Sequence, residues 1–351
     1  SLPSPFWSSP VVVDGIVYIG NQDSFVYALN ATTGAVIWAQ TVYGACTGSS
    51  PAVVNGRLYI GTAGYASPYA GNVTCLDAAT GALIWNYTIT PGIYFSTPAV
   101  IDDVVYIGTF GGFVLALDAA TGQLKSFYST TFMPVNTSPA VANGVVYVGC
   151  SDGKAYALDA SNLATVIWSK ILTTGVFPGG GVYSSPIVAG DVVYVGTDDG
   201  KMFALDAATG AEIWVHQTEG KIRGSAAVVS GSRSALYMGS YDGKVYAIAE
   251  GIISEWPMYR HDASRSGYTP ASGPKSNYTK WVFTTGDSVL SSPAVVNGVV
   301  YIGSNDTKVY ALDADTGAKI WEYSTEAGIY SAPAVADGIV YVGSNDNKTY
   351  P

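Results

Sequence analysis

Residues Ser291 to Trp321 read SSPAVVNGVVYIGSNDTKVYALDADTGAKIW, and nearly all of the chain consists of variants of this stretch. It divides into four short runs rich in β-branched and aromatic residues, PAVV, VVYIG, KVYALD and KIWEY. They are separated by Asn297-Gly298, Ser304-Asn305-Asp306 and Asp315-Thr316-Gly317. Punctuation of this kind marks tight turns, so the stretch predicts four strands. Apolar side chains alternate onto both sides of the pleat, and a lone sheet would leave one apolar face in water. Copies must therefore stack face to face.

The proline of the Ser-Ser-Pro signature recurs at Pro10, Pro51, Pro98, Pro139 and Pro186, gives way to Ala226, and returns at Pro293 and Pro333. These eight positions lie 41, 47, 41, 47, 40, 67 and 40 residues apart. A period near 40 with four strands per copy predicts an all-β, eight-bladed β-propeller, a single domain over 1–351, with each first strand lining a central channel. The blades fall near 8–38, 49–85, 96–128, 137–168, 184–214, 224–248 with 280–283, 291–321 and 331–351. Segment 250–279 interrupts the sixth copy as an inserted linker or plug, after which Lys280-Trp281-Val282-Phe283 supply that copy's fourth strand. The extra residues AGYASPYAGN (63–72) and TTGVFPGGGVY (173–183) are expected to project as surface loops. The eighth copy stops within its third strand, so the last blade is expected to be incomplete. An open sheet edge is a template for strand addition, and a strand from a neighbouring subunit is the expected partner.

Composition narrows the function. A net charge of −10, with scattered Lys and Arg, argues against a phosphate-tracking groove and so against a nucleic-acid partner. No apolar run is long enough to span a membrane. Cys46, Cys75 and Cys150 are too few and too widely spaced for a disulfide framework or a metal site. Cys75 stands where other copies carry Ala, which predicts a small buried residue; a Cys46–Cys75 bridge is the alternative. The glycosylation sequon occurs at Asn30, Asn72, Asn86, Asn136, Asn277, Asn305 and Asn347, seven of thirteen asparagines. Chance would give about two, so the excess favours a secreted, glycosylated, cell-surface protein.

The pattern A-x-D-x-x-T-G-x-x-x-W recurs at Ala204 to Trp214 and Ala311 to Trp321, with close variants at Ala28 to Trp38 and Cys75 to Trp85. It resembles the tryptophan-docking motif of the quinoprotein, or PQQ-like, propeller family. That resemblance implies eight blades and a docking role between blades for Trp38, Trp85, Trp168, Trp214, Trp281 and Trp321. The segment from Trp256 through Arg260, His261 and Asp262 to Tyr268 resembles a leader found in archaeal cell-surface members of the family.

For a quinoprotein dehydrogenase the resemblance implies carboxylates and an amide to hold calcium, a general-base Asp, an Arg, and often two adjacent cysteines under the quinone. The channel-lining strands, SPVVV to APAVA, offer hydroxyls and aliphatic groups but no carboxylate, and no adjacent cysteines exist. Asp152-Gly153, Asp198-Asp199-Gly200 and Asp242-Gly243 suit hairpin turns better than calcium. Arg260, His261, Asp262 and Arg265 form the one dense polar cluster, read either as a ligand-facing plug or as a linker pinned by its own salt bridges. The sequence thus predicts no catalytic residues, metal or cofactor. It favours an extracellular scaffold, adhesion or assembly module that binds proteins or itself, with a PQQ- and calcium-dependent dehydrogenase or a protein-binding assembly factor as alternatives.

Overall fold

In a computed structural model, residues 7–46, 48–64, 70–130, 132–175, 180–229, 234–249 and 258–351 are described. The first copy forms strands β1 (Val11–Val13), β2 (Ile16–Gly20), β3 (Phe25–Asn30) and β4 (Val36–Thr41), paired antiparallel in that order from the centre outward. The same meander repeats through the chain, giving eight blades, the last with three strands. No helix occurs among the described residues, so none there is long and apolar enough to cross a membrane.

Burial explains the stacking. Tyr59 and Cys75 of the second blade pack in one cluster with Val100, Val105 and Leu115 of the third. Tyr106 and Val114 of the third then meet Val146 and Tyr156 of the fourth. The core is thus a series of apolar layers, one between each pair of blades, and each sheet is buried on both faces. The seam between the last and first blades is closed in the same way, with Tyr341 buried against Val17, Ile19, Tyr27 and Leu29. All three cysteines are buried and free, so the Cys46–Cys75 bridge is absent.

Each third-to-fourth strand pair carries one bulge. In the first blade Ala28 opposes Trp38 while Leu29 opposes Val36, which leaves Ile37 unpaired and turns the indole toward the next blade. There its Nε1 donates to the Ala78 carbonyl at 3.0 Å. Trp85 (to Ala119), Trp168 (to Ala207) and Trp281 (to Ala314) repeat the bond at 2.9–3.0 Å. A tyrosine from β2 or its equivalent, such as Tyr18 or Tyr237, donates to the same carbonyl. The glycine of the Thr-Gly turn lies under the indole: a Cβ on Gly81 would come within 2.8 Å of the Trp38 ring, and Gly122, Gly210 and Gly317 face their neighbours' rings likewise.

Two departures prove the rule. The third blade has Ser126 at the tryptophan position, and the fourth blade correspondingly lacks the Thr-Gly turn and buries Leu163 there, its N–H 3.3 Å from the Ser126 hydroxyl. In the fifth blade Trp214 and Tyr194 both donate to Pro274, at 3.0 and 2.7 Å. Pro274 belongs to the inserted segment, whose Ser272-Gly273-Pro274 replaces the docking turn displaced from blade six. Trp321 faces blade eight, whose described strands reach Tyr350, and is 37% exposed.

Candidate functional site

The Ser-Ser-Pro signature forms two sets of hydroxyl bonds. The first hydroxyl folds back into its own blade: Ser49 accepts the N–H of Gly61 at 3.0 Å, Thr137 that of Gly149 at 2.9 Å and Ser331 that of Gly343 at 2.9 Å. The second reaches sideways. The N–H of Ser9 donates to Ser50, Ser50 to Thr97, Thr97 to Ser138 and Ser138 to Ser185, each at 2.9 Å. Across the seam, Ala332 donates to Ser9 at 2.9 Å. These hydroxyls are structural belts around the channel.

The channel is filled by the inserted segment. Carbonyls of Ala263, Ser264, Ser266 and Gly267 accept the N–H groups of Val53, Val100, Val141 and Val188, one from each of blades two to five, at 2.8–3.0 Å. Tyr268–Thr269 then runs parallel to Ile187–Ala189 as an extra innermost strand. Arg260 is 1% exposed and Arg265 fully buried. Arg260 donates to the carbonyls of Ser138, Pro139 and Pro186, from blades four and five. Arg265 donates to those of Ser9, Pro10 and Pro51, from blades one and two, and to its neighbour Tyr259. Both guanidinium groups are therefore solvated by main-chain carbonyls rather than by carboxylates. Burial lowers each pKa to about 10, which leaves both charged at neutral pH.

Asp262 organises the turn between them. It accepts bonds from the Ser264 hydroxyl at 2.6 Å and from the N–H and hydroxyl of Ser266, and it lies 3.6 Å from His261 Nδ1. Burial pushes its carboxyl up, but the neighbouring His261 and the Ser264 and Ser266 bonds outweigh that and bring it to about 2. Arg260, His261 and Arg265 all have positive φ, between 58° and 76°, a strained conformation that the surrounding bonds hold in place. Trp256 lies outside the described residues.

Above the plug the channel opens as a funnel of about 320 Å³. Its wall takes one residue per blade from the position just before the Ser-Ser pair: Trp7, Gly48, Phe95, Asn136, Tyr183, Arg223, Leu290 and Tyr330. An extended backbone alternates its side chains, so this residue and the second hydroxyl face the funnel while the first hydroxyl points into the blade. Tyr259 also lines it, bonded to Ser138 at 3.2 Å and Ser185 at 3.5 Å. Burial raises the Tyr259 phenol, but the charges of Arg260 and Arg265 and the two serine hydroxyls overcome this and leave it below its ordinary value. Arg223 is held by Asp198 through Nε at 2.8 Å and Nη2 at 2.6 Å, with its guanidinium over the rings of Tyr183 and Tyr241 at 4.6 and 5.6 Å.

Sequence reading missed this ring, and Arg223 with it. The signal was present: among the eight copies the two positions after it keep to small residues, whereas this one runs from Gly to Trp. Of the glycosylation candidates, Asn72 is buried in the third strand of blade two and Asn136 on the funnel wall, at 6% and 5% exposure, so neither side chain stands free at the surface. Asn30 caps its own turn through Thr32 and Thr33, Asn86 and Asn277 are exposed, and Asn305 and Asn347 are half-buried. The turn carboxylates are engaged locally: Asp152 and Asp242 hold Tyr156 and Tyr246, while Asp199 pairs with Lys201 at 2.9 Å. Among the described residues no cluster of metal-ligating side chains forms.

The funnel does not fit a calcium-bound quinone. Among the described residues its lining supplies an amide, Asn136, and an arginine, Arg223, but neither a carboxylate for the metal nor a cysteine pair, and the three cysteines lie inside the blades.

Comparison with known proteins agrees with this architecture. The structure superimposes on BamB from Moraxella catarrhalis with a TM-score of 0.75 at 18% identity, covering 99% of this chain and 98% of that one. It also superimposes on the quinohemoprotein alcohol dehydrogenase ADHIIG from Pseudomonas putida HK5, with a TM-score of 0.71 at 18% identity over 97% of this chain and 70% of that one. At these identities the likeness is one of fold. A 61-residue stretch is 38% identical to tetrathionate hydrolase of Acidithiobacillus ferrooxidans, but it spans 17% of this chain and 12% of that protein. The family model described as outer membrane protein assembly factor BamB matches residues 1–170, 128–251 and 266–351, and the chain belongs to that family of PQQ-like propellers.

Proposed function

We propose that this propeller is a non-catalytic, protein-binding module that acts as an extracellular or cell-surface scaffold or assembly factor. The observation that supports this most directly is the plug. The channel centre is filled by Arg260 and Arg265, and the carboxylates of Asp198 and Asp262 are spent on Arg223 and on the plug's own turn. What remains open is an aromatic-rimmed mouth and a set of blade loops. In this reading no cofactor is needed, and glycans, where attached, sit on Asn30, Asn86, Asn277, Asn305 or Asn347. The outer edge of blade eight is a second site for strand addition, filled by further residues of the same protein or by a second copy.

A photo-crosslinking amino acid placed at Phe95 or Tyr330, on the funnel rim, in cells that make the protein should yield discrete protein adducts. The same probe at Ile84, on an outer strand, should yield none. Quinone- and calcium-dependent oxidation of an alcohol by the purified protein, with no rim adducts, would contradict the proposal and favour an enzyme.

A further inference from the structure

The funnel has a chemistry of its own, and the inference drawn from it rests on the protein-binding reading above. Trp7, Phe95, Tyr183 and Tyr330 place aromatic rings on its wall, and Leu290 adds an apolar side chain. Charge is less evenly spread. Arg223 stands on the wall with Lys221 beside it on the same Asp198 carboxylate, and Arg260 and Arg265 lie beneath the floor. Among the described residues the charged side chain of the lining is thus a cation, Arg223, in a chain whose net charge is −10. No lining residue among the described ones is acidic.

Asn136 gives an independent sign of a ligand. It lines the funnel at 5% exposure, yet its Oδ1 has no hydrogen-bond partner. Since buried acceptors are almost always satisfied, an unspent amide oxygen behind the cavity wall marks a place where a hydrogen-bond donor is called for. Arg223 offers the charge: with Asp198 holding Nε and Nη2 and two tyrosines fixing its plane, its position is set before any ligand arrives, and its side chain remains 37% exposed.

We infer that the funnel binds a carboxylate carried beside an aromatic group, presented by a polypeptide partner as an acidic residue flanked by aromatic ones. The aromatic wall takes the flat apolar part. Arg223 favours the anion, and the Asn136 Oδ1, an acceptor, takes an N–H of the partner's backbone rather than the carboxylate. At about 320 Å³ the funnel admits a side chain or two rather than a folded element.

Calorimetric titration tests this with three probes: a blocked pentapeptide with a central glutamate between two phenylalanines, its glutamine counterpart, and free phenylacetate. The acidic peptide should bind saturably and at least tenfold more tightly than the glutamine peptide, with affinity falling as salt rises. Arg223→Gln should weaken it about tenfold or more, and Leu290→Trp, which fills the funnel without touching a charge, should abolish binding. Thermal melts of both variants establish that they are folded. Equal binding of the acidic and glutamine peptides, or acidic-peptide affinity unchanged by both variants, overturns the inference. Binding of phenylacetate without the peptide overturns the polypeptide source. If rim crosslinks to protein persist while the acidic peptide fails to bind, the protein-binding reading stands and this inference falls.

Discussion

Two arginine side chains connect the insert to four blades. A buried cation is costly unless it is paired, and here the partners are main-chain carbonyls of the residues that lead into the inner strands. Arg265→Ala would leave the carbonyls of Ser9, Pro10 and Pro51 without their donor. At about 1–3 kcal/mol for each unsatisfied buried group, chemical denaturation should show a loss of at least about 3 kcal/mol. Arg265→Lys should recover only part of it, because an ammonium has three donors and no planar fork. Asp262 makes a pH prediction. Its folded pKa of about 2 lies below the ordinary carboxylate value, so its contribution is complete above about pH 4 and is lost as pH falls toward 2. In melting curves taken between pH 5 and 2, Asp262→Asn should therefore start less stable and decline less steeply than the parent protein.

At the scale of the element, the docking of one blade on the next is a tryptophan lying over a glycine. Trp281 is 8% exposed and Trp321 is 37% exposed, so the same substitution should read differently in adjacent blades. Trp281→Ala should cost about 3–5 kcal/mol, and Trp321→Ala markedly less in the same unfolding assay. The glycines give a second comparison. Gly317 and Gly298 share φ near +74°, but a Cβ on Gly317 would come within 2.6 Å of the Trp281 ring while one on Gly298 meets nothing within 4 Å. Gly298→Ala should cost about 1–2 kcal/mol of backbone strain, and Gly317→Ala clearly more. Much of this was legible in the sequence, because Trp, Thr-Gly and Ser-Ser-Pro recur at fixed phase and each repeat demands the same contact. The path of the insert was not. Nothing in the order Arg260, His261, Asp262 says that the segment enters the channel, or that Pro274 then serves as the docking carbonyl for Trp214, since both depend on contacts with distant blades. The funnel ring was readable only by asking which position the repeats leave free.

Taken as a whole molecule, the described residues bring the first and last blades into direct contact. Ala332 meets Ser9, and Tyr341 donates to Ala31 at 3.1 Å. The plug supports blades one, two, four and five through its arginines and blade three through Ser264. A propeller held from its axis can present one mouth as a rigid rim, which is what a preorganised binding face requires.

The most direct test is native-state hydrogen exchange read by mass spectrometry on peptides spanning 258–269 and the inner strands of blades two to five. The plugged channel predicts that these segments exchange together, slowly, and that Arg260→Ala with Arg265→Ala releases them together while the outer strands change less. Complete exchange of 258–269 within seconds in the parent protein, with the blades still protected, would place the segment outside the channel and contradict the account.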